Sequence, residues 1–253
     1  MKFGAIIIGD EMLTGKRQDK HMPKLIEVLS ARGLELSWAQ YLGDEPPLIT
    51  AALQRAMTLP EPVFSFGGIG ATPDDHTRQC AADAAGVGLR LHADAEAEIR
   101  ARFVDDPKGV TPQRLAMGEF PEGSRIIPNP YNSIPGFSYR NIYFVPGFPQ
   151  MAWPMLEWVL DTHYRHLFDT NRVREAAIIV REAGESLLIE LMQVVQRKYP
   201  ALKIFSLPRV HPERFIELGA RGEPLAVAAA LVDLKDGVTA MRFPWTDAPK
   251  FGQ

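Results

Sequence analysis

The part of the chain with the clearest chemical potential is residues 64–78, Phe-Ser-Phe-Gly-Gly-Ile-Gly-Ala-Thr-Pro-Asp-Asp-His-Thr-Arg. It reads as a buried strand followed by a glycine-rich turn at residues 67–70. Glycine allows the backbone N–H groups of such a turn to approach a ligand that side chains would exclude, and this arrangement favours anions. We predict that Asp74 or Asp75 caps the following helix, whose positive end then points at the same place.

Acidic residues accompany this turn and the ends of two other predicted strands. Asp10 and Glu11 directly follow the apolar strand 3–8, and Asp44 follows the strand that ends at Leu42. In parallel sheets, ligands bind outside the carboxyl ends of the strands, so these segments should gather at one edge. An acid beside a phosphate site would repel the phosphate unless a divalent cation lay between them. The pattern therefore indicates metal-assisted phosphate chemistry.

The residue pattern alone also fits a purely structural role. A glycine turn with an acidic cap is common between a strand and a helix, and Asp10 could simply cap a turn. The stretch lacks the third glycine of the dinucleotide-binding motif and the Gly-Lys-Ser/Thr of the phosphate-binding loop of NTPases. A structural turn and an anion site both remain open at this level.

Composition limits the class of protein. The chain has 253 residues, 46% hydrophobic and 23% charged, which is typical of a globular protein. A formal net charge of -3 provides no basic surface for non-specific nucleic-acid binding. The single cysteine, Cys80, excludes an internal disulfide and fits a reducing compartment. No apolar run approaches the roughly 20 residues that a membrane span requires. We expect a cytoplasmic protein with neither a membrane nor a nucleic acid as partner.

Strands and helices alternate through the first two thirds of the chain, which predicts an α/β domain with a mostly parallel sheet at residues 1–169. Residues 170–243 read as a small two-layer α+β domain, and residues 244–253 as a loosely ordered tail. Two Pro- and Gly-rich loops, at 129–137 and 146–149, could add backbone N–H and hydroxyl groups to the site. Residues 219–222 match the glycine spacing of a KH-type RNA clamp, but they join a strand to a helix, so we predict a plain turn.

Four ordered blocks resemble a known family. They are Gly-Asp-Glu-Met-Leu-Thr-Gly at 9–15, Gly-Asp at 43–44, the glycine turn through Thr77, and Pro-Gly-Phe-Pro at 146–149. Together they resemble the molybdopterin-binding domain of molybdenum cofactor biosynthesis proteins, in the version found in the competence/damage-inducible CinA family. The resemblance implies a three-layer α/β/α sandwich, followed by a KH-like α+β domain that carries Glu-Ala-Gly-Glu-Ser at 182–186. We expect the C-terminal amidohydrolase domain of full-length members to be absent.

The resemblance also implies a function. Family members bind a pterin or an adenine nucleotide with a divalent metal such as Mg²⁺ or Co²⁺, and relatives form homo-oligomers. Some adenylylate molybdopterin, whereas CinA-type domains hydrolyse ADP-ribose at its pyrophosphate. Carried onto this chain, the catalytic residues are Asp44 and Asp75, and the metal ligands are Asp10, Asp44 and Asp75. The ligand-binding residues are Gly9, Gly67, Gly68, Gly70, Thr72, Asp74, Thr77, Ser133, Pro135, Gly136, Pro146 and Gly147.

Three positions depart from the family pattern. The CinA pattern usually has Asn where His21 stands, Pro where Ala71 stands, and Glu where Met151 stands. The changes at 21 and 151 remove polar groups from the expected site. The sequence therefore supports two functions, a metal-dependent enzyme acting on a nucleotide pyrophosphate and a non-catalytic module that binds a pterin or nucleotide.

Overall fold

The protein consists of two compact units, Met1–Phe168 and Asp169–Gln253. The computed structural model describes residues 1–169, 174–210 and 212–249. The first unit ends within one residue of the predicted boundary at 169. The polar stretch that suggested this boundary lies partly at residues 170–173, outside the described residues.

The first unit alternates strands and helices, as the sequence predicts, and has several short elements that the sequence did not indicate. Its elements are β1 (Lys2–Ile8), α1 (Asp10–Leu13), α2 (His21–Ser30), β2 (Glu35–Leu42), α3 (Pro46–Ala56), β3 (Val63–Phe66), α4 (Thr77–Ala85), β4 (Leu89–Leu91), α5 (Ala93–Arg102), α6 (Pro112–Ala116), β5 (Glu119–Pro121), β6 (Arg125–Ile127), β7 (Gly136–Tyr139), β8 (Ile142–Val145) and α7 (Pro149–Val159). A π-helical turn at Leu160–Tyr164 and a 3-10 turn at Arg165–Leu167 follow α7.

Six of these strands form one sheet in the order β2-β1-β3-β8-β7-β6. The pairs β1–β2, β1–β3 and β3–β8 are parallel, whereas β7 pairs antiparallel with both β8 and β6. The carboxyl ends of β2, β1, β3 and β8 therefore lie side by side at one edge. The short strands β4 and β5 form a separate antiparallel pair.

Both faces of this sheet are covered, which confirms the predicted three-layer α/β/α sandwich. Phe3, Ala5 and Ile7 of β1 belong to the core shared with α2 and α7. Their neighbours Ile6 and Ile8 belong to the core shared with α3 and α4. Because successive side chains of a strand point to opposite faces, the unbroken apolar run of β1 is the pattern of a strand buried on both sides.

The second unit is a small α+β domain, as predicted. Its elements are β9 (Arg174–Val180), α8 (Glu185–Lys198), β10 (Lys203–Arg209), β11 (Phe215–Gly222), α9 (Pro224–Ala240) and β12 (Trp245–Asp247). The sheet is antiparallel in the order β10-β11-β9-β12. Ile178 and Leu218 of this sheet are fully buried in one core with Leu188 of α8 and Leu234 of α9.

The interpretation of residues from 244 onward as a loose tail is wrong for 245–247. These residues form β12, in which Trp245 pairs with Val180 of β9. The Nε1 of Trp245 also donates to Thr239 Oγ1 at 2.9 Å. The pairing partner lies 65 positions earlier in the chain, so the local Pro-Trp-Lys composition gave no sign of it.

Further elements differ from the sequence-based prediction. Residues 219–222, where the sequence predicts a plain turn, form the end of strand β11, in which Arg221 pairs with Lys203 and with Glu175. The apolar residues along 151–168 predict one continuous helix, but the regular α-helix ends at Val159 and continues into the π-helical turn. The Pro- and Gly-rich composition of 129–137 predicts that Gly136 lies in a loop, but this residue begins β7, where a Cβ would lie 2.4 Å from the carbonyl oxygen of Phe144. Glycine is required there by the close approach of the neighbouring strand. Among the described residues, no helix is both long enough and apolar enough to cross a membrane.

Candidate functional site

A cavity of about 410 Å³ lies at the carboxyl ends of the parallel strands of the first unit. This size is within the range of pockets that hold small organic ligands. The predicted site residues that line the cavity are Gly9, Asp44, Gly67, Gly68, Gly70, Thr72, Asp74, Asp75, Pro135, Pro146 and Gly147. Segments that follow β1, β2, β3, β6 and β8 thus meet around one space, and the rule that ligands bind at the carboxyl ends of parallel strands predicts this for β1, β2, β3 and β8.

The glycine turn after β3 has a conformation that other residues adopt only with strain. Gly67 and Gly68 have φ angles of 96° and 69°. A Cβ at Gly68 would lie 2.2 Å from the Oγ1 of Thr77, and a Cβ at Gly67 would lie 2.4 Å from the carbonyl oxygen of Ile8. The turn therefore depends on glycine both for its dihedral angles and for its close packing.

Helix α4 binds the carbonyl groups of this turn. The Oγ1 of Thr77 donates to Gly67 O at 3.0 Å, and the backbone N–H of Thr77 donates to Gly68 O at 2.9 Å. Thr77 is fully buried, so it supports the turn from behind. Within the described part of the chain, the backbone N–H groups of Gly68, Ile69 and Gly70 donate to no protein acceptor. These donors are available to an anionic ligand.

Asp75 organises the next part of the turn and does not cap α4. One of its oxygens, Oδ2, accepts hydrogen bonds from the backbone N–H and the Oγ1 of Thr72, at 2.8 and 2.5 Å. The helix begins at Thr77 and has no side-chain cap at its N-terminus, so the prediction that Asp74 or Asp75 caps it is wrong. The physical reason is that the Asp75 carboxylate bonds backward to Thr72 and closes the turn 72–75.

Asp10 and Asp44 are joined across the ends of β1 and β2. Asp10 N–H donates to Asp44 Oδ2 at 3.0 Å, and Asp44 N–H donates to Asp10 Oδ1 at 3.1 Å. Partial burial raises the pKa of Asp44, and the negative charges of Asp10, Glu11 and Asp74 add to this increase. Several carboxylates are therefore close enough to interact at this end of the cavity.

The structure does not unite the three predicted metal ligands into one coordinating group. Within residues 1–169, 174–210 and 212–249, no cluster of three or more His, Cys, Asp or Glu side chains could hold a metal ion. Asp10 and Asp44 are adjacent, whereas Asp75 is bonded to Thr72. A cation that is bound mainly by ligand phosphates needs only one or two carboxylates from the protein.

Comparison with protein families identifies the fold of the first unit. The model of the family described as "Probable molybdopterin binding domain" matches residues 4–166, which is more than half of the chain. The chain belongs to this family.

Two curated relatives are longer than the part that this chain matches. A CinA-like protein from Anaeromyxobacter dehalogenans is 32% identical over 165 residues, covering 63% of this chain and 40% of the relative. A CinA-like protein from Myxococcus xanthus is 28% identical over 238 residues, covering 91% of this chain and 56% of the relative. The chain thus spans roughly half the length of these curated relatives or less.

A solved structure supports the same assignment. The crystal structure of the protein CinA, of unknown function, from Thermoplasma acidophilum superposes with a TM-score of 0.57 and 28% sequence identity. The alignment covers 64% of this chain and 98% of that protein. The chain is therefore similar to CinA-like members of the molybdopterin-binding family in both sequence and fold.

His21, one of the departures from the family pattern, is a buried support of the cavity wall. It is 2% exposed, and its ring stacks on Phe66 with centroids 4.6 Å apart. Its Nε2 lies 3.0 Å from the carbonyl oxygen of Gly147, which lines the cavity. A carbonyl only accepts, so Nε2 carries the hydrogen. Burial lowers the pKa of His21, which favours this neutral form.

Met151, the second departure, lines the cavity beside Asn132. The Nδ2 of Asn132 donates to the Met151 sulfur at 3.6 Å, a weak interaction for an amide. The cavity thus has a polarizable apolar side chain next to an amide donor. Ala71, the third departure, also lines the cavity.

Four predicted site residues do not line this cavity. Asp10 is hydrogen-bonded to Asp44, which lines the cavity, and Thr77 is buried behind the glycine turn. Gly136 is buried in β7, and Ser133 lines a separate cavity of about 580 Å³ together with Trp158. The side chains of Asn129 and Asn132 form hydrogen bonds with each other and with the backbone of the same loop.

The structure adds cavity residues that the sequence-based prediction did not assign. They are Ile8, Glu11, Arg17, Ile69, Ala71, Met117, Asn129, Asn132, Ile134, Phe148 and Met151. Glu11 lies within the block 9–15, Arg17 lies two residues after it, and Asn129 and Asn132 lie in the loop 129–137. Their positions in or next to the motifs could therefore have identified them. Met117 lies between α6 and β5 and has no such signal.

Proposed function

We propose that the first unit binds molybdopterin or an adenine nucleotide in the cavity at the carboxyl ends of β1, β2, β3 and β8, together with a divalent cation. The observation that carries this proposal is the convergence of the glycine turn and several carboxylates on one cavity of about 410 Å³. Either ligand combines a planar ring with phosphate oxygens. The site offers groups suited to both parts.

The phosphate end of the ligand fits the glycine turn. The N–H groups of Gly68, Ile69 and Gly70 form no hydrogen bonds with the described residues, and all three residues line the cavity. The ring fits the apolar part of the wall, which Met117, Ile134, Phe148 and Met151 provide. A mostly apolar wall with a few polar groups at defined positions is typical of small-molecule sites.

A divalent cation fits the balance of charge. Four carboxylates, those of Glu11, Asp44, Asp74 and Asp75, line the cavity with a single basic side chain, Arg17. A phosphate would be repelled by this set without a cation. Asp44 and its neighbour Asp10 would hold the cation, with ligand phosphates completing its coordination. When bound, such a cation would polarise the phosphoryl oxygens.

The finer proposal is chemistry at a phosphoanhydride, either hydrolysis of ADP-ribose or transfer of an adenylyl group. In this scheme Asp44 would hold the cation beside the reacting phosphate. Asp75 keeps the turn 72–75 closed. The free N–H groups of the glycine turn stabilise the negative charge that develops on the phosphate.

The alternative is a non-catalytic module that binds the same ligands. Two observations favour it, the methionine at 151 and the lack of a three-ligand metal group among the described residues. In this case the cavity would bind a pterin or nucleotide without product release.

A thermal-shift screen tests binding, because a ligand that binds only the folded state raises the melting temperature. ADP-ribose, ATP, AMP and a pterin are each added with and without Mg²⁺ or Co²⁺. We expect a shift for at least one ligand, larger with the metal. No shift for any combination would refute the proposed binding. Product formation from ADP-ribose by the wild type, absent in Asp44→Asn, separates the enzyme from the binding module.

A further inference from the structure

We infer that Arg78 is a positioning residue of the cavity, which holds the glycine turn and the wall around Met117 in one fixed arrangement. The inference rests on the proposed ligand site and adds a residue that lies outside the cavity lining. Arg78 is the second residue of α4 and is 9% exposed. An arginine this deeply buried needs partners that justify its desolvation.

The guanidinium of Arg78 bonds two segments that are distant in sequence. Its Nη2 donates to Gly70 O at 2.8 Å. Its Nη1 donates to Glu119 O at 3.3 Å and also to Ala116 O. All three acceptors are backbone carbonyls, so the interaction fixes the path of the chain at both places.

Both segments contribute to the cavity. Gly70 lines it directly, and Met117 lies between the two carbonyls that bind Nη1. A single planar side chain therefore sets the distance between the anion-binding turn and part of the apolar wall. The rigid fork of a guanidinium suits this task, whereas a lysine ammonium is a single point of attachment.

The bond to Gly70 also affects the ligand end of the turn. It binds the Gly70 carbonyl, just as Thr77 binds the carbonyls of Gly67 and Gly68. With these oxygens bound by α4, the turn presents N–H groups to an anion and few competing acceptors. The positive charge of Arg78, buried directly behind the turn, strengthens its attraction for an anion because the surroundings have a low dielectric constant.

The Nε of Arg78 is buried and has no hydrogen-bond partner among the described residues. Leaving a buried donor unpaired costs stability. A residue chosen only to fill space at this position would avoid that cost. An arginine at this position is consistent with a role that depends on the hydrogen bonds of Nη1 and Nη2.

Arg114 provides a matched control. It is another partly buried arginine of the first unit, whose Nη1 donates to the carbonyl of Gly109 and whose Nη2 lies 3.1 Å from Asp106 Oδ2. It is not among the residues that line the cavity. Arg78→Lys, Arg78→Gln and Arg114→Lys are therefore compared with the wild type.

The first measurement is affinity for ADP-ribose and for inorganic pyrophosphate with Mg²⁺, at a temperature at which every variant is folded. We expect both Arg78 variants to weaken binding by about 10-fold or more, as for the loss of one charge-assisted hydrogen bond. Arg114→Lys should bind as the wild type does. If the Arg78 variants have a lower melting temperature but bind both probes with wild-type affinity, the residue has only a structural role and the inference is overturned.

The second measurement is amide hydrogen exchange without ligand, which decides the question even if no probe binds. We expect exchange of the hydrogen-bonded amides in segments 72–77 (Thr72, Asp75 and Thr77) and 117–118 (Met117 and Gly118) to accelerate together in the Arg78 variants and to remain unchanged in Arg114→Lys. In the wild type, the two segments should open with the same free energy. Independent opening of the two segments would contradict the inference. Absence of probe binding to the wild type would refute the proposed function separately.

Discussion

Asp10 and Asp44 each accept a hydrogen bond from the backbone of the other, at 3.0 and 3.1 Å, across the ends of two adjacent parallel strands. The register of β1 and β2 pairs Ile8 with Leu42, so the residues two positions beyond each strand meet. This reciprocal pair fixes both carboxylates relative to the sheet. Their remaining oxygen lone pairs are still available to a cation.

Asp44→Asn should show whether the negative charge of Asp44 binds the cation, because the substitution removes the charge and keeps the hydrogen bond from Asp10 N–H. The amide oxygen of Asn can still accept from Asp10 N–H, so we expect the free energy of unfolding to change by no more than about 1.5 kcal/mol. The Mg²⁺-dependent part of the ligand-induced thermal shift should disappear. Urea denaturation and the thermal-shift assay measure the two effects. An unchanged Mg²⁺ dependence would exclude Asp44 as a metal ligand.

Gly68→Ala should damage both the fold and the site. The left-handed backbone alone costs about 1–2 kcal/mol for alanine, and its Cβ would also lie 2.2 Å from Thr77 Oγ1. We expect the free energy of unfolding to fall by more than this backbone cost, and we expect no binding of phosphate-bearing ligands. Gly15→Ala is the control, because Gly15 has a φ of 71° and no atoms near its Cβ position. Equal losses in the two variants would show that contact with Thr77 is unimportant.

His21 should make the stability of the first unit depend on pH. Burial lowers its pKa from the ordinary value of 6.5, so the unfolded chain takes up a proton first as the pH falls. The free energy of unfolding should therefore decrease as the pH drops below about 6.5. His21→Asn retains a donor for Gly147 O but does not titrate. Urea denaturation at pH 7.5 and 5.5 should show a smaller decrease for this variant, and an equal decrease would rule out the His21 contribution.

Arg17 should contribute to the affinity for negatively charged ligands. It lines the cavity, and its only described ion pair is a 4.0 Å contact with Glu11, so it can turn toward a ligand at little cost. We expect Arg17→Ala to weaken ADP-ribose binding roughly 5- to 10-fold, or about 1 kcal/mol, with a reduced salt dependence. Lys16→Ala, next to it but outside the cavity lining, is the control. Equal affinities for the two variants would count against a role of Arg17.

The sequence by itself determined the layered α/β fold and the edge at which the site lies. The unbroken apolar run of β1 indicated a strand covered on both faces, and the acids at 10 and 44 followed predicted strand ends. These inferences succeeded because side-chain periodicity and the geometry of parallel sheets are local or general rules. The roles of the individual site residues remain predictions that the proposed experiments address.

Only the tertiary structure decided how those residues are connected. The sequence placed a helix cap at Asp74 or Asp75, whereas the Asp75 carboxylate bonds to Thr72 and α4 begins at Thr77. Arg78 reaches Gly70 and the segment around Met117, and Trp245 pairs with Val180. Each of these outcomes depends on a competition between partners, several of them far apart in sequence. The physical reason is that a polar group takes whichever partner the folded chain brings near, and residue patterns along the chain do not record that choice.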